Sequence, residues 1–267
     1  MKRGVAAKGF QAGAEAYERG RPGYPADAVD ALIDVLGVGP GVTVVDLAAG
    51  TGKLTRLLAP SGAAVIAIEP VEAMRRTLAA MLPRVPVVAG TAESMPLRDG
   101  SAGAVVAAQA FHWFDGEAAL AEIHRVLAPG GRLGLVWNVR DETVDWVARL
   151  TALIDPYQGD APRFRTGAWR TAFEGTALFG PLQERSFSYE QPTTPTEIEE
   201  RFASISFVAA LPSAKHAAVR RAVRDLLATH LDTRGRDHLR MPHRTVAFWC
   251  ERAVGSAPIP LDHLLSS

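Results

Sequence analysis

The chain has 267 residues, 48% of them hydrophobic and 22% charged, the mix of a globular protein rather than a disordered, fibrous or disulfide-stapled one. Lys plus Arg and Asp plus Glu each number 29, so the net charge is zero and the basic footprint of a dedicated nucleic-acid binder is missing. The single cysteine, Cys250, can form neither an internal disulfide nor a thiolate metal cluster. The start carries Lys2 and Arg3 without an apolar run behind them, and no stretch approaches the roughly 18 apolar residues of a membrane span. The expectation is a cytoplasmic protein with no membrane or nucleic-acid partner, either a monomer or a homodimer.

In chain order, an aromatic and basic stretch with Tyr17, Arg19, Arg21 and Tyr24 precedes Ala26–Leu36, where Val29, Leu32, Ile33 and Leu36 fall at helical spacing. Residues 1–40 therefore read as an N-terminal helical flap. Short apolar runs then alternate with helical patterns, the signature of βαβ units. Val42–Leu47, Ala63–Glu69, Val85–Ala89, Gly103–Gln109 and Arg132–Trp137 are rich in Val, Ile or Ala without polar alternation, as parallel strands covered on both faces should be. Helices are expected near Gly52–Leu58, Val71–Met81 and Glu117–Leu127, the last with Asp115 as a cap and ended by Pro129-Gly130-Gly131.

Beyond residue 140, Asp141–Thr176 reads as helices containing Trp146, Trp169 and several arginines, and Leu182–Gln191 as a strand. Two helices follow, about Thr196–Ala210 and Ser213–His230, the first capped by Thr194 or Thr196; Val246–Cys250 supplies a seventh strand. No linker long enough to separate domains is present, so 1–267 is expected to form one domain, with 41–140 as its α/β core.

The most informative segment is Val44-Val45-Asp46-Leu47-Ala48-Ala49-Gly50-Thr51-Gly52-Lys53, an apolar strand that ends in an acid and passes through small residues into a helix. A phosphate-binding P-loop is excluded, because Leu47 stands where its first Gly belongs and Leu54 follows Lys53. The dinucleotide fingerprint starts acceptably at Gly50 and Gly52 but reaches Thr55, and it does not call for the acid at the strand tip. The segment resembles the Asp/Glu-x-Gly-x-Gly-x-Gly loop of class I S-adenosylmethionine-dependent methyltransferases at Asp46, Gly50 and Gly52, with Ala48 replacing one glycine.

A second apolar strand ends in Glu69-Pro70, 23 residues after Asp46, where an acid accepts both hydroxyls of a ribose. Gly90-Thr91-Ala92-Glu93-Ser94-Met95-Pro96-Leu97 resembles the family's adenine loop, with Thr91 in place of the usual Asp. Ala108-Gln109-Ala110-Phe111-His112-Trp113-Phe114 and Tyr17-Glu18-Arg19-Gly20-Arg21-Pro22-Gly23-Tyr24-Pro25 are similar to signatures of a small-molecule subgroup that includes trans-aconitate methyltransferase-like (methyltransferase type 11) proteins.

The resemblance implies a Rossmann-like class I methyltransferase fold with a seven-stranded, mostly parallel sheet whose last strand is antiparallel, plus a helical flap and lid; 141–267 would supply the acceptor lid. It implies S-adenosylmethionine as cofactor and S-adenosylhomocysteine as product. The cofactor site would comprise Asp46, Ala48, Gly50, Gly52, Glu69, Pro70, Thr91, Ala92, Glu93, Gln109 and Ala110. A small organic acceptor, methylated on O or N by in-line displacement, would meet Tyr17, Arg21, Tyr24, Phe111, Trp113, Asn138, Arg165, Trp169 and Arg170. Arg163, Arg165 and Arg170 hint that it is anionic. His112 is the candidate general base. His230, His238 and His243 show no compact ligand pattern, so no metal is expected, and Cys250 reads as a buried apolar residue. The competing readings are a silent S-adenosyl-ligand binding module and a nicotinamide-dependent oxidoreductase.

Overall fold

The computed structural model describes residues 23–159 and 162–253. Seven strands, β1 (Thr43–Leu47), β2 (Ala64–Ile68), β3 (Val87–Val88), β4 (Ala102–Ala108), β5 (Leu127–Arg140), β6 (Gln183–Thr193) and β7 (Leu239–Glu251), form one sheet in the order β3-β2-β1-β4-β5-β7-β6. The first five pair in parallel, whereas β7 runs antiparallel to both β5 and β6. Strand order reverses where β1 pairs with β2 on one side and β4 on the other. Open α/β sheets bind ligands in the crevice beyond the carboxyl ends of such strands.

Eight helices, α1 (Ala26–Leu36), α2 (Thr55–Leu58), α3 (Glu72–Met81), α4 (Gly116–Val126), α5 (Asp145–Ile154), α6 (Pro195–Ala203), α7 (Ser206–Ala209) and α8 (Ser213–Thr229), are present among the described residues. Val44 and Val106 face a layer holding Leu32, Leu36, Leu54 and Leu58 of α1 and its neighbours, while Val45 and Val105 face Leu120 and Ile123 of α4. Because both faces are covered, the strands read as unbroken apolar runs. The helices α5, α6 and α8 pack among themselves and onto Leu239 and Met241 at the start of β7, forming a second apolar cluster past the strand ends.

Three expectations change. First, α1 is a sheet-covering helix rather than part of a flap: its Leu36 lies so close to β5 that a Cβ added to Gly134 would come within 2.7 Å of Leu36 Cδ1. Tyr17, Arg19 and Arg21 lie outside the described residues. Second, the stretch 141–176 forms only one α-helix among its described residues. Pro156 and Pro162, and the left-handed Gly159 (φ 58°) and Gly167 (φ 70°), leave single turns of 3-10 helix at Asp155–Tyr157 and Phe164–Thr166 and a longer one at Ala168–Phe173. Third, Asp115 makes no side-chain cap for α4; its own N–H instead donates to Glu93 Oε1 at 2.9 Å. Thr194 does cap α6 reciprocally, accepting from the Glu197 N–H at 3.2 Å while the Glu197 carboxylate accepts from the Thr194 N–H at 2.8 Å. Among the described residues no helix is long and apolar enough to cross a membrane.

Candidate active site

The turn that leaves β1 is built from left-handed backbone: Ala48 (φ 57°), Gly50 (φ 59°) and Gly52 (φ 86°). At Gly52 the glycine is required twice over, since an added Cβ would also stand 2.9 Å from Leu78 Cγ of α3. Ala48 adopts the same region against its preference, a conformation that costs an L-residue about 1–2 kcal/mol. Ala48→Gly should therefore stabilise the fold by about 0.5–1 kcal/mol after the added freedom of the unfolded chain is offset. Urea unfolding at constant m would register this as a higher midpoint, and an unchanged or lower midpoint would contradict it.

Beneath this turn Asp46 is completely buried. Its Oδ2 accepts the Thr55 hydroxyl at 2.6 Å, and its Oδ1 has no hydrogen-bond partner among the described residues. Burial pushes the carboxyl up to about 7; the Thr55 hydrogen bond opposes this and the neighbouring Glu69 charge adds to it. Asp46 thus lies below the loop and lines neither of the cavities described below. Glu69, also buried, accepts the Gly50 N–H on Oε2 at 2.9 Å and the Val71 N–H on Oε1 at 2.8 Å, tying the second strand tip to the first loop. Burial raises its carboxyl too, against the pull of those two N–H groups and of Arg75. Arg75 Nη1 clamps the following turn by donating to the carbonyls of Glu69 and Pro70 at 2.9 and 2.7 Å.

The third loop is held from α4. Arg125 donates to the Leu97 and Met95 carbonyls and pairs with Glu122 and Asp99, and the Met95 N–H donates to Glu122 Oε1 at 2.6 Å. This leaves Thr91 exposed and Ala92 buried at the crevice edge, beside Glu93. After β4 the chain bends through a left-handed Gln109 (φ 58°), whose Nε2 donates to the Asn138 carbonyl at 3.2 Å. A bulky residue in that conformation is a local strain of the kind that clusters at functional sites.

Two cavities meet at this bend. The smaller, about 60 Å³, is lined by Tyr24, Ala48, Ala49, Gly50, Thr51, Lys53, Leu54 and Ala108 together with Gln109, Asn138 and Arg201. The larger, about 550 Å³, shares Gln109, Asn138 and Arg201 and extends over His112, Trp113, Trp137, Phe164 and Phe207. Its lining includes Arg140, Arg163, Arg165, Arg201 and Arg244 against the carboxylates Asp141 and Glu142. Asn138 stitches the junction, donating from Nδ2 to the Gly23 carbonyl at 2.7 Å and accepting the Thr245 hydroxyl on Oδ1 at 2.6 Å. Trp137 Nε1 donates to His112 Nδ1 at 3.2 Å, so a neutral His112 carries its hydrogen on Nε2.

Of the residues expected from the sequence, Ala48, Gly50, Gln109, Tyr24, Asn138, His112, Trp113 and Arg165 border one or both cavities. Asp46 and Glu69 lie buried beneath and beside the loop, with Gly52 inside its turn, Ala110 buried and Pro70 exposed at the second strand tip. Tyr17 and Arg21 lie outside the described residues. Three expected acceptor residues are elsewhere. Phe111 and Trp169 pack edge to face in the core and border a third cavity of about 630 Å³ between α4 and residues 168–178, which shares His112 with the 550 Å³ cavity. Arg170 stacks over Trp169 and Phe248 and pairs with Glu184 of β6 at 2.8 Å. Cys250 is buried in β7, and burial pushes its thiol up to about 12. The sequence reading missed Arg140, Arg201, His243 and Arg244, which the long β5 and β7 and the helix α6 bring to the cavity mouth or directly behind it.

Known proteins resemble this chain in sequence and in fold. Residues 45–135 match the methyltransferase domain family. The uncharacterized methyltransferase Rv3342 of Mycobacterium tuberculosis is 41% identical over 245 residues, spanning 92% of this chain and 95% of that protein. The methyltransferase-like protein C25B8.10 of Schizosaccharomyces pombe is 35% identical over 92% of this chain and 96% of its own length. Among solved structures, a candidate type II methyltransferase from Anaeromyxobacter dehalogenans superposes with a TM-score of 0.61 at 25% identity, covering 88% of this chain and 98% of that one. The sheet order, the strained small-residue loop after β1 and these full-length relatives place the chain in the class I S-adenosylmethionine-dependent methyltransferase family.

Proposed function

We propose that the chain transfers the methyl group of S-adenosylmethionine to a small anionic acceptor held in the larger cavity. The observation that carries this reading is the shared wall: Gln109, Asn138 and Arg201 border both cavities, so ligands in the two would meet end to end. The residues at the loop suit the donor. An unpartnered, buried Asp46 oxygen lies beneath the turn and complements an ammonium group, and each Glu69 oxygen, with one backbone N–H accepted, keeps a lone pair for a ribose hydroxyl. The 60 Å³ recess takes only the amino-acid tail, and the nucleoside would run over Glu69, Pro70 and Thr91.

When bound, S-adenosylmethionine supplies an electrophilic methyl on a sulfonium, which leaves as S-adenosylhomocysteine. The protein's contribution is alignment: holding a nucleophile at attack distance is worth about 7–11 kcal/mol. Trp113 and Trp137 give the larger cavity rigid walls, and the arginines hold the acceptor's negative charge. His112 serves better as a hydrogen-bond donor through Nε2 than as the general base, because protonating Nδ1 would break the bond from Trp137. An anionic oxygen nucleophile removes the need for a base altogether.

Calorimetry tests the donor side: S-adenosylhomocysteine should bind and NAD should not, and the reverse result would end the reading. Labelled cofactor with a panel of carboxylic acids and amines tests the acceptor side. With the acceptor so found, Arg165→Ala should raise KM about fivefold, the modest effect expected of a half-exposed charge, while Arg170→Ala stays within twofold. Equal effects of the two would disconnect the larger cavity from the reaction.

A further inference from the structure

We infer that Arg125, with Glu122, is a positioning residue for the base of the bound nucleoside, acting from α4 through the loop of residues 90–97; this rests on the methyl-donor reading above. The place of the base follows from strand order. The turn after β1 takes the amino-acid tail and Glu69 at the tip of β2 takes the ribose, so a nucleoside laid along the carboxyl edge of β1, β2 and β3 brings its base to the loop that leaves β3. Gly90 seats that loop against the end of β2: an added Cβ would stand 2.9 Å from Ile68 Cγ2, one residue before Glu69, and 2.9 Å from Pro96 Cδ. Thr91 and Ser94 close the tip with two mutual backbone hydrogen bonds of 3.1 and 3.2 Å.

The flank of the loop is gripped by a single guanidinium whose five N–H groups are all engaged. Arg125 Nε and Nη2 donate to Glu122 Oε2 and Oε1 at 2.7 Å each, Nη2 also to the Met95 carbonyl at 3.2 Å, and Nη1 to the Leu97 carbonyl at 2.8 Å and Asp99 Oδ1 at 2.6 Å. Glu122 Oε1 returns to the loop by accepting the Met95 N–H at 2.6 Å. Met95 and Leu97 are thereby registered on one planar fork, a span that the three donors of a lysine could not cover. Pro96, held between them, backs Gly90 and so sets where the tip begins. Neither Arg125 nor Glu122 lines either cavity at the bend, so any effect on a ligand passes through the loop. The other end of α4 adds a second tether, the Asp115 N–H donated to Glu93 Oε1 at 2.9 Å. Ala92 and Met95 also pack in the core with Leu120 and Ile123, so removing the fork should loosen the loop without unfolding the sheet.

The test is calorimetry with three ligands: S-adenosylhomocysteine, S-inosylhomocysteine, in which an oxygen replaces the exocyclic amine of the base, and 5′-methylthioadenosine, which lacks the amino-acid tail. Hydrogen exchange of residues 90–97 is followed in the ligand-free protein. The wild type should prefer the adenine ligand to the inosine one. Arg125→Met should speed exchange in the loop and weaken S-adenosylhomocysteine and 5′-methylthioadenosine by the same factor, about tenfold, the scale of losing a supporting contact behind a site. It should also bind the adenine and inosine ligands within about twofold of each other. Glu122→Gln keeps an oxygen for the Met95 N–H and loses only the acceptor for Arg125 Nε, so it should fold as the wild type does and weaken binding about threefold. A purely structural role would lower the melting temperature and leave the preference between bases intact. Wild-type preference in both variants, a loss confined to the ligands with a tail, or no preference in the wild type would each overturn the assignment. Failure of the wild type to bind any of the three, with exchange still faster in R125M, would instead strike the methyl-donor reading.

Discussion

Glu69→Ala is expected to weaken S-adenosylhomocysteine binding about 100-fold, close to 2.7 kcal/mol at about 1.4 kcal/mol per decade. Two losses combine. The carboxylate that would accept a ribose hydroxyl on each oxygen is gone, and hydrogen bonds to a charged group contribute about 1.5–3 kcal/mol each. The same carboxylate also holds the loops together through the Gly50 and Val71 N–H groups, so its removal leaves both donors unpartnered and the left-handed turn unbraced. Glu69→Gln separates the two effects. A glutamine matches the shape, but its amide nitrogen must oppose one of those N–H donors, so only one loop contact and one acceptor survive. E69Q should therefore fall between wild type and E69A in affinity, with calorimetry as the readout. A Glu69 variant that binds with wild-type affinity would remove the second strand tip from the cofactor site.

How much of this was legible beforehand depended on whether a residue's role was set by its neighbours in sequence. The strands β1, β2 and β4 announce themselves because burial on both faces permits few residues other than Val, Ile, Leu and Ala. The loop after β1 was readable because its backbone demands small residues, and Glu69 because it closes an apolar strand. β5 and β7 were read short, as Arg132–Trp137 and Val246–Cys250, since their projecting ends carry Arg140, Arg240 and Arg244, which look like solvated positions. Those projecting ends build the larger cavity. Arg201 sits on an amphipathic helix, where an arginine is unremarkable until β6 and β7 are laid beside it. One signal was available: Leu239, Met241, His243 and Thr245 alternate with outward residues, which marks His243 as an inward-facing polar group in need of a partner. Trp169 and Arg170 illustrate the opposite case. The arginine-rich segment looked like a lid, but its tryptophan is core and its arginine is occupied by β6.

Asp46 gives the second large effect, and its sign can be fixed in advance. Its carboxyl rises from the ordinary 3.8 to about 7 on folding because the charged form is buried. The contribution to stability is therefore whole below pH 3.8 and is lost as pH rises through about 7, because the unfolded chain releases the proton first. At about 1.4 kcal/mol per pH unit, the loss approaches 4 kcal/mol. Asp46→Asn should flatten this part of the profile, leaving the ligand-free variant more stable than wild type at pH 8 by about 1–3 kcal/mol once the imperfect fit of the amide is counted. Glu69, shifted in the same direction, leaves a residual slope. Binding should respond in the opposite sense. A cationic cofactor tail favours ionised Asp46, so affinity for S-adenosylhomocysteine should climb between pH 5 and 7, with proton release detectable by calorimetry in buffers of different ionisation enthalpy. In D46N the climb should shrink, and at pH 8 the affinity should fall about tenfold below wild type. Parallel pH profiles for wild type and D46N, in stability and in binding alike, would mean that the orphaned oxygen beneath the loop has no part in gripping the donor.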